Sequence, residues 1–290
     1  MNITLLGTGL LGSAVAERLL AQGHTLCVWN RSSDKCTPLQ ALGASVAKDA
    51  VDALAASEVI LLFLADRAAI EAVLLDEANR HALCGRLIVQ MGTISPADSL
   101  ALAEKLAAYG ADYAECPVLG SLPEARNGSL ILMFGGSEKQ FSSLSPLLGQ
   151  LGQEPRRIGA IGQAATLKLA MNQLIASETA AFAMSLALVR AHGVAVDDFM
   201  QLLRGSALYA PTFDKKLARM LSGDFSRPNF PLDHLIKDLR LFIDSAQASS
   251  IDSRFLQTLV STLAEVSAAG HGKEDYSVLQ LGLAPDKQGL

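Results

Sequence analysis

Two groups of residues in this sequence have the types and spacing to do chemistry. The first is Gly7-Thr8-Gly9-Leu10-Leu11-Gly12, a G-x-G-x-x-G turn. It follows an apolar run, Ile3–Leu6, and opens a helical stretch, Ser13–Ala21, closed by Gly23. That context is what a dinucleotide site requires. Gly7 permits a tight turn, Gly9 lets the backbone approach a pyrophosphate, and Gly12 lets helix pack on strand. The helix then offers unpaired N–H groups and partial positive charge to phosphates. A glycine-rich turn without a ligand is the plainer alternative. The second group is Lys168 with Asn172, one helical turn apart and so on one face. The stretch around them is largely apolar, where desolvation pulls a lysine pKa toward neutrality. A cation there can stabilise a developing alkoxide and donate a proton, and the asparagine can orient the ammonium or hold a substrate oxygen. The other reading of Lys168 is a snorkelling side chain near an exposed helix start.

The end of the second strand selects the dinucleotide. An NAD site places Asp or Glu there, on the ribose 2′-hydroxyl. This chain reads Trp29-Asn30-Arg31-Ser32-Ser33, with no carboxylate. Arg31 offers a planar fork suited to a 2′-phosphate, with hydroxyls beside it, so NADP is expected over NAD. The alternative is that Arg31 is a solvated loop charge.

These residues need a scaffold, and the first half of the chain supplies one. Apolar runs at Ile3–Leu6, Thr25–Trp29, Val59–Leu64, Arg86–Gln90, Ala111–Glu115 and Leu130–Phe134 alternate with helical stretches such as Pro96–Tyr109. Ser95 is the expected N-cap of that helix, before a proline at its first position. Continuous apolar strands separated by helices mean a parallel sheet covered on both faces, joined by right-handed crossovers. From about residue 162 the pattern becomes helical: Gly162–His192, Val196–Arg204, Thr212–Leu221, Leu232–Ala248 and Ser253–Ala269, with no strand. The expected fold class is α/β: a Rossmann-type doubly wound parallel sheet over residues 1–161, then an all-α domain over 162–290 that begins with a long interdomain helix. The apolar positions of that helix cover most of its circumference, so it needs covering by the nucleotide domain or by another subunit. The tail from Ala284 reads as frayed.

Bulk properties exclude several classes. Of 290 residues, 50% are hydrophobic and 18% charged, so a large core forms readily and disorder does not. A formal charge of −5 with no basic run argues against nucleic acid. Cys27, Cys36, Cys84 and Cys116 form no C-x-x-C pair and sit near no histidine at ligand spacing. Cys27 and Cys84 lie in or beside apolar segments, as small hydrophobes. His234 precedes Asp238 by one turn, but a third ligand is missing, and no metal is expected. Met1-Asn2 leads into the first apolar run without a basic n-region, which points to a reduced, cytoplasmic protein. The apolar stretch Ala180–Val189 is too short to span a bilayer, so no membrane partner is expected.

Read together, the motifs resemble the β-hydroxyacid dehydrogenases. The resemblance covers nearly the whole chain in order. After the glycine turn and Asn30-Arg31-Ser32 come Leu64-Ala65-Asp66, Met91-Gly92-Thr93-Ile94-Ser95-Pro96, Cys116-Pro117-Val118-Leu119-Gly120-Ser121, and Gly162 with Lys168 and Asn172. Phe230-Pro231-Leu232 with Lys237-Asp238-Leu239 is most like the glyoxylate/succinic semialdehyde reductase branch. The resemblance implies NADPH-dependent interconversion of a small carbonyl acid, a semialdehyde or 2-oxo acid, and its hydroxy acid. Lys168 is then the general acid/base and Asn172 its partner. Gly7 to Gly12, Asn30, Arg31, Ser32, Leu64, Ala65, Asp66 and Thr93 contact the cofactor, and Lys237 reaches it from the second domain. Leu119, Gly120, Ser121, Phe230 and Asp238 lie at the substrate. A homodimer or homotetramer is also implied.

Three departures stand out. Leu119 replaces the family serine that helps bind a substrate carboxylate, so acid recognition must lean on the Gly120 and Ser121 N–H groups. Met171 replaces the first asparagine of the usual pair. Gly92 replaces the serine before Thr93. Two other readings stay open. Imine reductases share this architecture and the Val28-Trp29-Asn30-Arg31 stretch, but they generally lack the catalytic lysine. A non-enzymatic NADP-binding sensor or scaffold is opposed by Lys168 and Asn172 and by the lack of a basic segment.

Overall fold

The computed structural model describes residues 1–284. The expectation of a frayed tail falls, beyond Ala284, outside the described residues. The chain divides into two compact units, the first Met1–Lys168 and the second from Leu169 on.

The strands are β1 (Asn2–Leu6), β2 (Thr25–Trp29), β3 (Ser45–Val46), β4 (Val59–Leu62), β5 (Leu87–Gln90), β6 (Asp112–Glu115), β7 (Val118–Leu119), β8 (Ile131–Gly135) and β9 (Arg156–Gly159). The helices of the first unit are α1 (Leu10–Ala21), α2 (Thr37–Ala41), α3 (Ala50–Ala55), α4 (Arg67–Leu74), α5 (Pro96–Ala107), α6 (Leu122–Asn127) and α7 (Glu138–Leu151). The sheet order is β3-β2-β1-β4-β5-β6-β8-β7, with β9 on β8, and β1 through β6 are parallel. Chain order reverses between β1 and β4, and open α/β sheets bind ligands at the carboxyl ends flanking such a switch. Register places Trp29, Leu6, Leu62, Gln90 and Glu115 in one row across those ends. The loops after β1, β2, β4 and β5, which matter below, leave from that row.

Both faces of the sheet are covered, as continuous apolar strands require. Ile3 and Leu5 pack in one layer with α1 and α7, while Leu6, Ile60, Leu62 and Ile88 pack in the other with α3, α4 and α5. Ser95 caps α5 as its sequence position predicts, accepting from the Asp98 N–H. The sheet is not wholly parallel, however. β8 runs antiparallel to β6 and β7. β3, β7 and β9 are short or polar, and the apolar-run reading passed over them. Cys84 is exposed, not packed as a small hydrophobe, whereas Cys27, Cys36 and Cys116 are buried, and all four are free thiols.

The helices from residue 163 on are α8 (Gln163–Ala191), α9 (Val196–Arg204), α10 (Pro211–Ser222), α11 (Leu232–Ala248), α12 (Arg254–Val266) and α13 (Gln280–Leu283). No strand occurs from residue 163 on among the described residues, only an isolated bridge between Pro231 and Asp275. In the second unit Ala176, Phe182, Leu186, Phe213, Leu235, Leu239 and Leu263 form one core. The helix α8 has 29 residues, so length alone would let it cross a bilayer, against the estimate made from Ala180–Val189. Lys168 and Asn172 on it are buried, and its Ala176, Phe182 and Leu186 pack in that core. Within this chain it is not covered all round: Leu174, Met184 and Leu188 are exposed.

Candidate active site

The three glycines of the first turn serve different ends. Gly7 has φ +100°, and a Cβ there would strike the Phe63 carbonyl. A Cβ at Gly12 would run into the carbonyl of Gly7, so helix and turn could not stay in contact. Gly9 is different. It caps α1 at φ −73°, ψ −168°, which any residue adopts, and a Cβ there would meet nothing within 4 Å. Nothing in the fold requires glycine at this exposed position, and its lack of a side chain leaves the backbone open to close approach from outside. The α1 N-terminus beside it has no side-chain cap and no acidic residue in its first turn. Its positive end is therefore left for an anion. These features fit the phosphates of a dinucleotide.

The turn is held from the end of β2. Thr8 is buried and donates its N–H to Asn30 Oδ1 at 3.2 Å, while Asn30 Nδ2 donates to the Ser32 carbonyl. Asn30 thus acts as a staple between the two loops. Arg31 and Ser32 are exposed, and Arg31 makes no ion pair among the described residues. Past β4, Leu64 is half-buried and Ala65 exposed, and Asp66 caps α4 by accepting from the Ala69 N–H at 2.8 Å. The departure at Gly92 has a local cause. A Cβ there would lie 2.8 Å from the Leu64 carbonyl oxygen. The half-buried Thr93 follows it.

Lys168 is 9% exposed, in the second turn of α8, so the snorkelling alternative does not describe it. The start of that helix is tied to the sheet by Glu115, at the end of β6. Its Oε1 accepts from the N–H groups of Gly162, Ala164 and Ala165 at 2.8, 2.9 and 3.1 Å. Its Oε2 accepts from the Ser99 hydroxyl, which also contacts Tyr113. Burial, reinforced by the charge of Glu115, pushes the Tyr113 phenol and the Cys116 thiol well above their usual ranges. The sequence reading missed Glu115, because a helix cap supplied by a distant strand leaves no local signature.

In the second unit, Asn172 and Asp238 are each 2% exposed, and Asn172 Nδ2 donates to Asp238 Oδ2 at 2.6 Å. A carboxylate only accepts, so the amide must turn its nitrogen to Asp238. Asn172 Oδ1 is left buried without a protein partner. The open atom of Asn172 is thus an acceptor, suited to an ammonium or hydroxyl proton. Lys237, half-buried, places Nζ 2.9 Å from Asp238 Oδ1. His234, one turn earlier, has an exposed edge, and partial desolvation and then the charge of Lys237 hold it below its usual range. Among the described residues no group of three His, Cys, Asp or Glu is placed to hold a metal. Phe230 is half-buried against the helical core, 5.8 Å from the Tyr276 ring. Its segment is clasped by Asp275, which accepts from the Asn229 N–H and from buried Lys216 at 2.7 Å. This pair, too, was not anticipated.

The loop after β7 corrects one expectation. Leu119 is half-buried, and Gly120, at φ +122°, has no room for a Cβ beside Leu130 and Glu124. Ser121, however, does not offer its N–H outward. Both its N–H and its hydroxyl donate to Glu124 Oε2 at 2.8 Å, in a capping box that starts α6. Ser121-Leu122-Pro123-Glu124 carries the S-x-x-E signature of that box, so the signal was present in the sequence. Of the two amides expected to receive an acid, only that of Gly120 is left.

A family model for the NAD-binding domain of 6-phosphogluconate dehydrogenase matches residues 2–162. A second, for the NAD-binding of NADP-dependent 3-hydroxyisobutyrate dehydrogenase, matches residues 162–281. Glyoxylate/succinic semialdehyde reductase 1 of Arabidopsis thaliana is 28% identical over 281 residues, covering 96% of this chain and 97% of its own. A solved 3-hydroxyisobutyrate dehydrogenase from Salmonella typhimurium superposes with a TM-score of 0.86 at 26% identity, covering 97% of this chain and 99% of its own. Psf3, solved in complex with NADP+ and 2-OPP, gives a TM-score of 0.84 at 25% identity, with 96% and 98% covered.

Proposed function

The chain belongs to the β-hydroxyacid dehydrogenase family and is an NAD(P)-dependent oxidoreductase, and from that premise we propose that it reduces the carbonyl of a short semialdehyde or 2-oxo acid with NADPH, Lys168 donating the proton. The observation that carries this reading is the burial of Lys168 in a helix whose start is fixed to the sheet.

Within the first unit, the Gly7–Gly12 turn and the α1 N-terminus would hold the pyrophosphate. Exposed Arg31 and Ser32 would hold the 2′-phosphate, a reading in keeping with the NADP+ bound by Psf3. Once bound, the nicotinamide supplies a hydride to the carbonyl carbon. The chain's part is placement and proton supply. As negative charge grows on the carbonyl oxygen, the Lys168 ammonium stabilises it and gives up a proton from Nζ, leaving a neutral amine and a hydroxyl. Asn172 Oδ1, an acceptor fixed by the Asp238 contact, would be available to an ammonium or hydroxyl proton. With the Ser121 N–H taken by Glu124, the acid end of the substrate has the Gly120 N–H and the apolar flank of Leu119 to rest on.

The test is NADPH oxidation against glyoxylate, succinic semialdehyde, other short aldehydes and 2-oxo acids, and cyclic imines, for the wild type and Lys168→Ala. Turnover of a carbonyl acid is expected. Lys168→Ala should lower kcat by about 100- to 10,000-fold, the range of one acid–base group, while still binding NADPH. Near-normal kcat in that variant, or turnover of imines alone, would refute the proposal.

A further inference from the structure

We propose that Glu115 is a positioning residue for Lys168: by holding the first turn of α8 against the sheet, it fixes where the ammonium stands. The inference rests on the reading of Lys168 as proton donor.

A helix start leaves N–H groups without intrahelical partners, and a side chain just before the helix ordinarily takes one of them. Here the cap comes from a strand, 47 residues upstream of the nearest N–H it binds. It takes three of these groups on one carboxylate oxygen. The other oxygen is anchored by Ser99 on α5. Glu115 is 1% exposed, and its charge faces the positive end of the helix. Such a cap does more than end a helix. It fastens the first turn of α8 to the row of strand ends that carries the nucleotide turn.

The link to Lys168 is short. In an α-helix the Lys168 N–H bonds to the Ala164 carbonyl, and the Ala164 N–H is one of those Glu115 holds. At 1.5 Å per residue, Lys168 stands roughly 6 Å along the axis from that amide. A tilt or fraying of this one turn therefore moves the ammonium directly. A second observation points the same way. Gly135, on the neighbouring strand β8, has no left-handed backbone to justify a glycine. A Cβ there would lie 2.6 Å from Glu115 Oε1. The absence of a side chain at Gly135 is explained by the space the carboxylate occupies.

The test compares Glu115→Ala, Lys168→Ala and the double variant in the full chain, with glyoxylate and succinic semialdehyde as substrates and NADPH affinity measured separately. Displacing a catalytic group by about 1 Å costs on the order of 100-fold. Glu115→Ala should therefore lower kcat by about that factor, with the Kd for NADPH changed less than about threefold. In the Lys168→Ala background the same change should cost less than about threefold, because the group it positions is gone. Glu115→Gln keeps an acceptor oxygen for the N–H groups and should recover kcat to within about tenfold of wild type. Gly135→Ala crowds the carboxylate without removing it and carries the same comparison if Glu115→Ala does not fold. A readout free of turnover is the acetylation rate of Lys168 by acetic anhydride, followed by mass spectrometry. It should rise severalfold in Glu115→Ala while that of exposed Lys105 stays the same. Equal proportional losses of kcat with and without Lys168, or unchanged kcat and labelling, overturn the role of Glu115. Wild-type kcat in Lys168→Ala instead overturns the proton-donor reading on which it rests.

Discussion

Gly9→Ala separates a glycine kept for a ligand from one kept for the fold. The backbone at Gly9 is extended and accessible to alanine, and the added methyl meets nothing within 4 Å. Two small terms then act on stability. Restricting the unfolded chain gains about 0.4–1 kcal/mol. Alanine as an N-cap in place of glycine loses a comparable amount, roughly 0.5–1 kcal/mol. They nearly cancel, so the melting temperature of the free protein should move by no more than about 2 °C. Cofactor binding should not escape. The methyl would stand where the pyrophosphate approaches, and hydrogen bonds to charged groups contribute about 1.5–3 kcal/mol each. Losing one of them raises Kd by about 10- to 100-fold. The assay is NADPH fluorescence titration beside thermal unfolding. Gly12→Ala is the control: its Cβ collides with the Gly7 carbonyl, so melting temperature and affinity should both fall. A Gly9→Ala protein that binds NADPH like the wild type would refute the claim that this turn receives the phosphates.

Two further outcomes follow from the geometry. Arg31→Ala should weaken NADPH by about tenfold and leave NADH unchanged, since an exposed guanidinium–phosphate contact contributes at the low end of charge-assisted bonds. The ratio of the two KM values checks this, and equal losses for both cofactors would remove Arg31 from the site. Lys216→Met should destabilise the protein by about 3–5 kcal/mol, because it strands the buried Asp275 carboxylate. Burial alone would raise the Asp275 pKa, but Lys216 and Ser277 outweigh it and hold the group below the usual aspartate range. The stability it contributes is therefore present above the unfolded pKa and lost as pH falls through the lower folded one, below about pH 4. In Lys216→Met burial is no longer outweighed, the Asp275 pKa rises above its unfolded value, and the variant should instead regain stability as pH falls through it. Thermal melts across that range would show it, and a variant with the wild-type acid profile would contradict the assigned pair.

Sequence by itself determined whatever is carried by local period and spacing. Alternating apolar runs and helical stretches marked out most of the sheet, and the α9 and α11 boundaries came out as read, because strands buried on both faces read as continuous apolar runs and half-buried helices repeat every 3.6 residues. The same reasoning found the glycine turn and the lysine one turn before Asn172. It failed where strands are too short or too polar to show a period, as at β3, β7 and β9, and it overlooked the local capping box that occupies Ser121. Tertiary structure alone decided the contacts that join distant segments: Asn172 with Asp238, 66 residues apart, Lys216 with Asp275, 59 apart, and Glu115 with the start of α8. A buried charge needs partners, but only packing determines which part of the chain supplies them. The same holds for the three glycines with which the sequence reading began. Their spacing announced a turn, and only the atoms a Cβ would meet told Gly7 and Gly12, required by the fold, from Gly9, which the fold leaves free for a ligand.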